Sequence, residues 1–193
     1  MHRWNRMVWV AMLWVGCASA LDVGTQAPDF SLPDVRTGGT VSPADLLEDH
    51  QAVVVVFIAT GCPYSNAFNH VMSDLARKYS AKNVAFVGVN SNRTEPADAV
   101  RRHAEENDFP FAVVKDEGNV VADRYGAQVT PEVFLVAKNG EIVYHGALGN
   151  SRQPTTRAEE VNGEELGGAL EDLLSGRPVA VPRTKAFGCT IKR

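Results

Sequence analysis

Apolar positions along the chain change period several times, and each change marks an element. Residues 53–58, VVVVFI, are an unbroken β-branched and aromatic run. That pattern predicts a strand buried on both faces rather than one alternating between core and water. From residue 63 to 79 the period becomes helical, with Ala67, Val71, Leu75 and Tyr79 four apart and Phe68 and Met72 beside them. Residues 84–89 predict a second buried strand, and 96–107 a charged surface helix opening at Pro96. A short strand over 111–114 and a short helix over 119–125, closed by Gly126, follow. Residues 133–137 and 142–145 flank Asn139-Gly140, a strong hairpin signal. Asn162 with Glu165 is a candidate capping box for a last helix to about Leu174, stopped by Gly176 and Pro178. Residues 21–50, rich in proline and glycine, read as an irregular lead-in with short strands. Alternation first and a hairpin last predict an α/β fold, a mixed central sheet flanked by helices.

The first 20 residues follow a different logic. Arg3 and Arg6 precede an uninterrupted apolar stretch over 7–15, and Ala18-Ser19-Ala20 follows. A basic start, a short apolar core and an A-x-A site describe an export signal peptide. The apolar stretch is too short for a membrane-spanning helix, which needs roughly 20 residues. Val15-Gly16-Cys17 also resembles the end of a lipoprotein signal, so a lipid anchor on Cys17 is the alternative to soluble export. The expected division is a leader over 1–20, one domain over 21–175 and a tail over 176–193, in a periplasmic or extracellular protein.

Composition adds position-dependent information. The 193 residues are 45% hydrophobic and 22% charged, with a net charge of −4, which suits a globular domain and offers no electrostatic footprint for nucleic acid. All three tryptophans, at positions 4, 9 and 14, go with the leader, as does Cys17. The mature chain keeps Cys62 and Cys189, in a compartment where disulfides persist.

Cys62 sits between a buried strand and the start of a helix, where unpaired N–H groups favour thiolate over thiol. Pro63 suits the first helical position, and Ser65 is placed to donate its hydroxyl to the sulfur. The competing reading is an inert buried cysteine. The stretch Phe57-Ile58-Ala59-Thr60-Gly61-Cys62-Pro63-Tyr64-Ser65 resembles the strand-end signature of the thioredoxin superfamily, F-x-A-x-W-C-x-x-C. Val129-Thr130-Pro131-Glu132 is similar to the cis-proline loop that faces the cysteine in that fold. Ala27-Pro28-Asp29-Phe30 narrows the likeness to the redoxin, AhpC/TSA-like branch. Within it the chain is most similar to bacterial redoxins with a C-N-H-C-P-Y motif that end in G-C-x-I-K, here Gly188-Cys189-Thr190-Ile191-Lys192.

The resemblance implies a thioredoxin-like fold and a thiol-disulfide oxidoreductase or antioxidant activity. Its substrates would be protein or small-molecule disulfides and thiols, and an electron-donating thiol protein would be its partner. Thr130 and Pro131 would hold the substrate chain. The departures matter: Ala59 and Ser65 stand where family members carry second cysteines, so Cys62 has no neighbouring thiol to release a mixed disulfide. Cys189 is the candidate partner if the tail, with Val181, Phe187 and Ile191, lies along the body; otherwise it is an isolated thiol. Peroxidase activity is weakly supported, because Ala59 and Pro131 occupy the positions of the family's peroxide-cradling threonine and arginine, with Thr60 and Arg124 nearby but displaced. No cofactor or metal is expected; His145 is the best-placed histidine for copper, and His70 is expected to face solvent. The competing functional class is a binding or adaptor module that has kept the fold and lost turnover.

Overall fold

A computed structural model describes residues 21–193; residues 1–20, the expected leader with Cys17, lie outside the described residues. The lead-in forms a short ribbon, β1 (Leu32–Pro33) against β2 (Thr40–Val41), and then a helix, α1 (Pro43–Asp49). The turn-rich composition did not predict this helix. Its start is nonetheless written in the residues: Ser42 accepts a hydrogen bond from the Asp45 N–H at 3.2 Å, and Pro43 takes the first helical position.

The apolar run becomes β3 (Ala52–Phe57), the middle strand of five. On the chain go α2 (Pro63–Ala67), α3 (Asn69–Ser80), β4 (Val84–Asn90), α4 (Ala97–Glu106), β5 (Ala112–Lys115) and α5 (Val120–Tyr125). Then come β6 (Val129–Thr130), β7 (Glu132–Ala137), β8 (Ile142–Gly146), α6 (Glu164–Leu174) and β9 (Cys189–Thr190). The sheet order is β5-β4-β3-β7-β8, with β3, β4 and β5 parallel and β7 and β8 antiparallel to their neighbours. Helices cover both faces, so β3 needs apolar residues at every position. Val54 and Val56 face Phe68, Met72, Leu135 and Leu170, while Val53, Val55 and Phe57 face Tyr125, Phe134 and Ile191. Each such side chain contributes about 1.5–3 kcal/mol on burial. Among the described residues no helix is long and apolar enough to cross a membrane.

Two helix predictions need correction. The helical pattern over 63–79 is divided at Phe68 (φ −90°, ψ 0°), where the Phe68 N–H bonds the Ser65 carbonyl three residues back and the helix restarts. The capping box at Asn162 and Glu165 does not form. Asn162 Oδ1 accepts from the Glu164 N–H, and Glu165 instead accepts from the Ser151 N–H at 3.0 Å. Elsewhere the punctuation follows the residues, with Gly126 (φ +67°) closing α5 and Gly140 (φ +83°) in the hairpin turn.

The last 18 residues return across the molecule. The His145 N–H bonds the Pro182 carbonyl and the Thr184 N–H bonds the His145 carbonyl, at 3.0 and 3.1 Å. The Phe187 ring then meets Tyr64 and Phe68, with centroids 5.9 and 6.2 Å away. Strand β9 pairs antiparallel with β6, setting Cys189 opposite Thr130, and Ile191 enters the core at 3% exposure. Val181, expected as a third apolar anchor, is 59% exposed because its segment crosses solvent before the Phe187 contact.

Candidate active site

Cys62 caps α2 with its sulfur, taking the place usually held by a serine or aspartate oxygen. Its Sγ accepts from the Ser65 main-chain N–H at 3.4 Å, and as a neutral thiol it donates to the Thr130 carbonyl at 3.2 Å. Helix α2 has only five residues, so the local N–H groups rather than a long dipole act on the sulfur. The Ser65 hydroxyl is not on the sulfur. It lies fully buried against the end of β3 and accepts from the Ala59 N–H at 3.2 Å, a donor that no neighbouring strand reaches.

The Thr130–Pro131 bond is cis, and the β6 strand it ends carries β9 alongside. The tail therefore sets Cys189 opposite Thr130, whose carbonyl accepts from Cys62, and both cysteines are free thiols. Burial pushes the Cys62 pKa up, but hydrogen bonding from the Cys189 thiol, the Ser65 N–H and the Cys189 main chain outweighs it. Cys62 ends below the ordinary thiol value. Cys189 moves the other way, pushed up to about 11 by burial, by its hydrogen bond to Cys62 and by the charge there. One thiol is set to ionise and its neighbour to hold a proton.

A sequence model of AhpC/TSA family proteins matches residues 23–145, the span that carries Cys62, Thr130 and Pro131. The chain belongs to the AhpC/TSA family. Thiol-disulfide oxidoreductase ResA of Bacillus thuringiensis subsp. konkukian is 25% identical over 154 residues, covering 80% of this chain and 78% of that protein. Thiol:disulfide interchange protein DsbE of Allochromatium vinosum is 27% identical over 128 residues, 66% and 67% of the two chains. The solved structure of an uncharacterized conserved protein from Geobacillus kaustophilus superimposes with a TM-score of 0.83 at 35% identity, covering 91% of this chain and 94% of that one. The chain is thus a redoxin of the thioredoxin superfamily, with a thioredoxin-like oxidoreductase activity.

This AhpC/TSA redoxin supports its Cys62 loop with residues that the sequence pattern did not single out. Glu95 accepts from the N–H groups of Thr60 and Gly61 at 2.9 and 3.0 Å, and from Asn90 and Asn92 at 2.5 and 3.0 Å. Burial raises its pKa, but these four donors more than offset it and keep the carboxyl below the usual range. Lys115, buried and pushed down by burial, donates to Asn90 Oδ1 and the Asn92 carbonyl. Asn92 also accepts from the Lys192 N–H at 2.7 Å, so one asparagine ties the tail to the carboxylate behind the Cys62 loop. The one signal available was the polar cluster Asn90-Ser91-Asn92 with Glu95, directly after a buried strand. On the other side the Asn66 side chain donates to the Thr60 carbonyl at 3.0 Å, and its Oδ1 accepts from His103 Nε2 at 3.0 Å. Burial lowers the His103 pKa and favours the neutral ring.

The remaining sequence candidates fall elsewhere. His145 is committed to Glu132, 2.7 Å from Nε2, and stacks on Phe134; Glu132 also accepts from the Gln128 and Val129 N–H groups. His70 and Arg124 are exposed, and the Thr60 N–H is held by Glu95. Among the described residues no group of three or more His, Cys, Asp or Glu side chains is arranged to hold a metal ion.

Proposed function

We propose that this redoxin carries out thiol-disulfide exchange with Cys62 as nucleophile and Cys189 as resolving thiol. The supporting observation is the β6–β9 pairing, which sets Cys189 opposite Thr130, the residue whose carbonyl accepts from Cys62, with the Cys62 pKa lowered and that of Cys189 raised. The Cys62 thiolate attacks one sulfur of a substrate disulfide, forms a mixed disulfide and expels the other sulfur as a thiolate. Cys189, giving up its proton to solvent, then attacks Cys62 Sγ and releases the second substrate thiolate. The substrate disulfide gains two electrons and the Cys62–Cys189 pair loses them; an external dithiol returns the pair to the reduced state. Residues 1–20 act as the export leader that delivers the domain to a compartment where this pair can cycle.

Exchange with a small aromatic disulfide tests the assignment. Cys62→Ser abolishes it, and Cys189→Ser stops at a mixed disulfide visible by mass. Wild type that still carries two free thiols after treatment with a stoichiometric disulfide overturns the role of Cys189. Activity retained in Cys62→Ser overturns the whole assignment.

A further inference from the structure

The β6 edge beside Pro131 is occupied by the chain's own tail, and the way it is occupied specifies a ligand. Strand β9 lies antiparallel to β6 with Thr190 opposite Val129 and Cys189 opposite Thr130. The same Thr130 carbonyl accepts from Cys62. An extended peptide with a cysteine in this register therefore places its sulfur at Cys62. The residue before that cysteine is Gly188, and its environment admits no other. A Cβ there would fall on the Thr130 carbonyl oxygen, 2.6 Å from its carbon and 3.3 Å from Pro131 N. Its φ of +155° is also one that L side chains rarely adopt. Phe187 fits between Tyr64 and Phe68, and Ile191 is buried two positions beyond the cysteine.

We propose that the tail is an internal substrate mimic: the β6 edge accepts extended peptides of the form aromatic-Gly-Cys-x-aliphatic, and the tail must leave before such a peptide enters. Peptide recognition by strand addition draws affinity from the main chain and specificity from side-chain pockets, and both are filled by β9 here. Cys62 is 2% exposed with the tail in place, so the tail also shields the thiol. The inference rests on Cys62 being the reacting thiol and adds which chain is presented to it. The edge has one place for two claimants. Cys189 cannot resolve the mixed disulfide while the peptide holds the strand position, so peptide and tail compete.

The test uses full-length protein carrying Cys189→Ser, with the tail either native or released by Gly188→Ala. The probe is the peptide Ala-Phe-Gly-Cys-Thr-Ile-Lys, joined through its cysteine to 5-thio-2-nitrobenzoate. Attack by the Cys62 thiolate forms the protein–peptide disulfide and expels the coloured thiolate, which is read by absorbance. Releasing the tail is expected to accelerate the reaction at least about tenfold. Replacing the peptide's glycine by alanine is expected to slow it by a similar factor, the scale on which a close-fitting site rejects one added methyl group. Equal rates for the two peptides, or no gain on tail release, overturn the proposal. Phe187→Ala, which removes the Tyr64 and Phe68 contacts, serves as a second tail-released form should Gly188→Ala fail to fold. Anisotropy of a labelled peptide with serine in place of cysteine repeats the glycine comparison without sulfur chemistry. Glycine-selective binding with no exchange in any variant counts against the role of Cys62 and in favour of the edge.

Discussion

At the scale of single residues, the sulfur of Cys62 takes its charge preference from few atoms. Burial opposes ionisation, and the hydrogen bond from the Cys189 thiol is the first of the contacts that reverse the balance. Cys189→Ala removes that donor, so the alkylation rate of Cys62 is expected to reach half its maximum at a higher pH than in wild type. Cys189→Ser keeps a donor and shifts the profile less. Ser65→Ala behaves differently, because its hydroxyl serves the Ala59 N–H and its main chain serves the sulfur. The pH profile should stay in place, while the unpaired N–H costs about 1–3 kcal/mol in a denaturant titration. A Ser65→Ala profile shifted as far as that of Cys189→Ala would place the hydroxyl on the sulfur after all. The position of Cys62 and the likeness around Pro131 were legible in the sequence, since both depend on near neighbours in the chain. The destination of the Ser65 hydroxyl was not, because it depends on which strand-end donor lacks a partner.

At the scale of elements, the parallel strands β3 and β4 end side by side, and the segment after each serves the other. Glu95, beyond β4, holds the main chain beyond β3 through Thr60 and Gly61. Its folded pKa is depressed, so its contribution to stability is present above the unfolded glutamate value, roughly 4.3, and is lost as pH falls through the folded value. Glu95→Gln, which cannot serve all four donors with one oxygen, should cost about 1–2 kcal/mol at neutral pH, a figure reduced for a half-exposed group. The gap to wild type should close as pH falls through the folded Glu95 value; a gap independent of pH would show that packing, not charge, supports the loop. Strands β3, β4 and β7 could be read from their continuous apolar runs, because burial on both faces leaves no alternation. The break at Phe68 could not, since the four-residue spacing of buried side chains continues through it. Helix α1 was hidden by Pro43, which marks a turn as readily as a helix start, and Glu95 by a partnership that exists only once two distant strands pair.

At the scale of the whole molecule, the tail closes a circuit begun at β3. Ile191 packs in the core face lined by Val53, Val55 and Phe57, Lys192 is anchored on Asn92, and just before them β9 sets Cys189 beside Thr130 and the Cys62 site. In the proposed exchange, chemistry at the Cys62–Cys189 pair depends on the tail's anchors in the core and, if residues 1–20 are an export leader as proposed, on the compartment they address. The distribution of tryptophan gives a direct test of that delivery. The three tryptophans lie at positions 4, 9 and 14, whereas the four tyrosines all lie beyond residue 60. Protein recovered from its host after leader removal should therefore emit as a tyrosine-only protein, and an indole emission band would show that the leader stays attached. Cleavage after Ala20 and acylation at Cys17 both discard every tryptophan, so fluorescence leaves these two routes together. The mass of the N-terminal peptide separates them: an unmodified Leu21 start supports soluble export, and a lipid-bearing Cys17 start places the redox pair at a membrane surface.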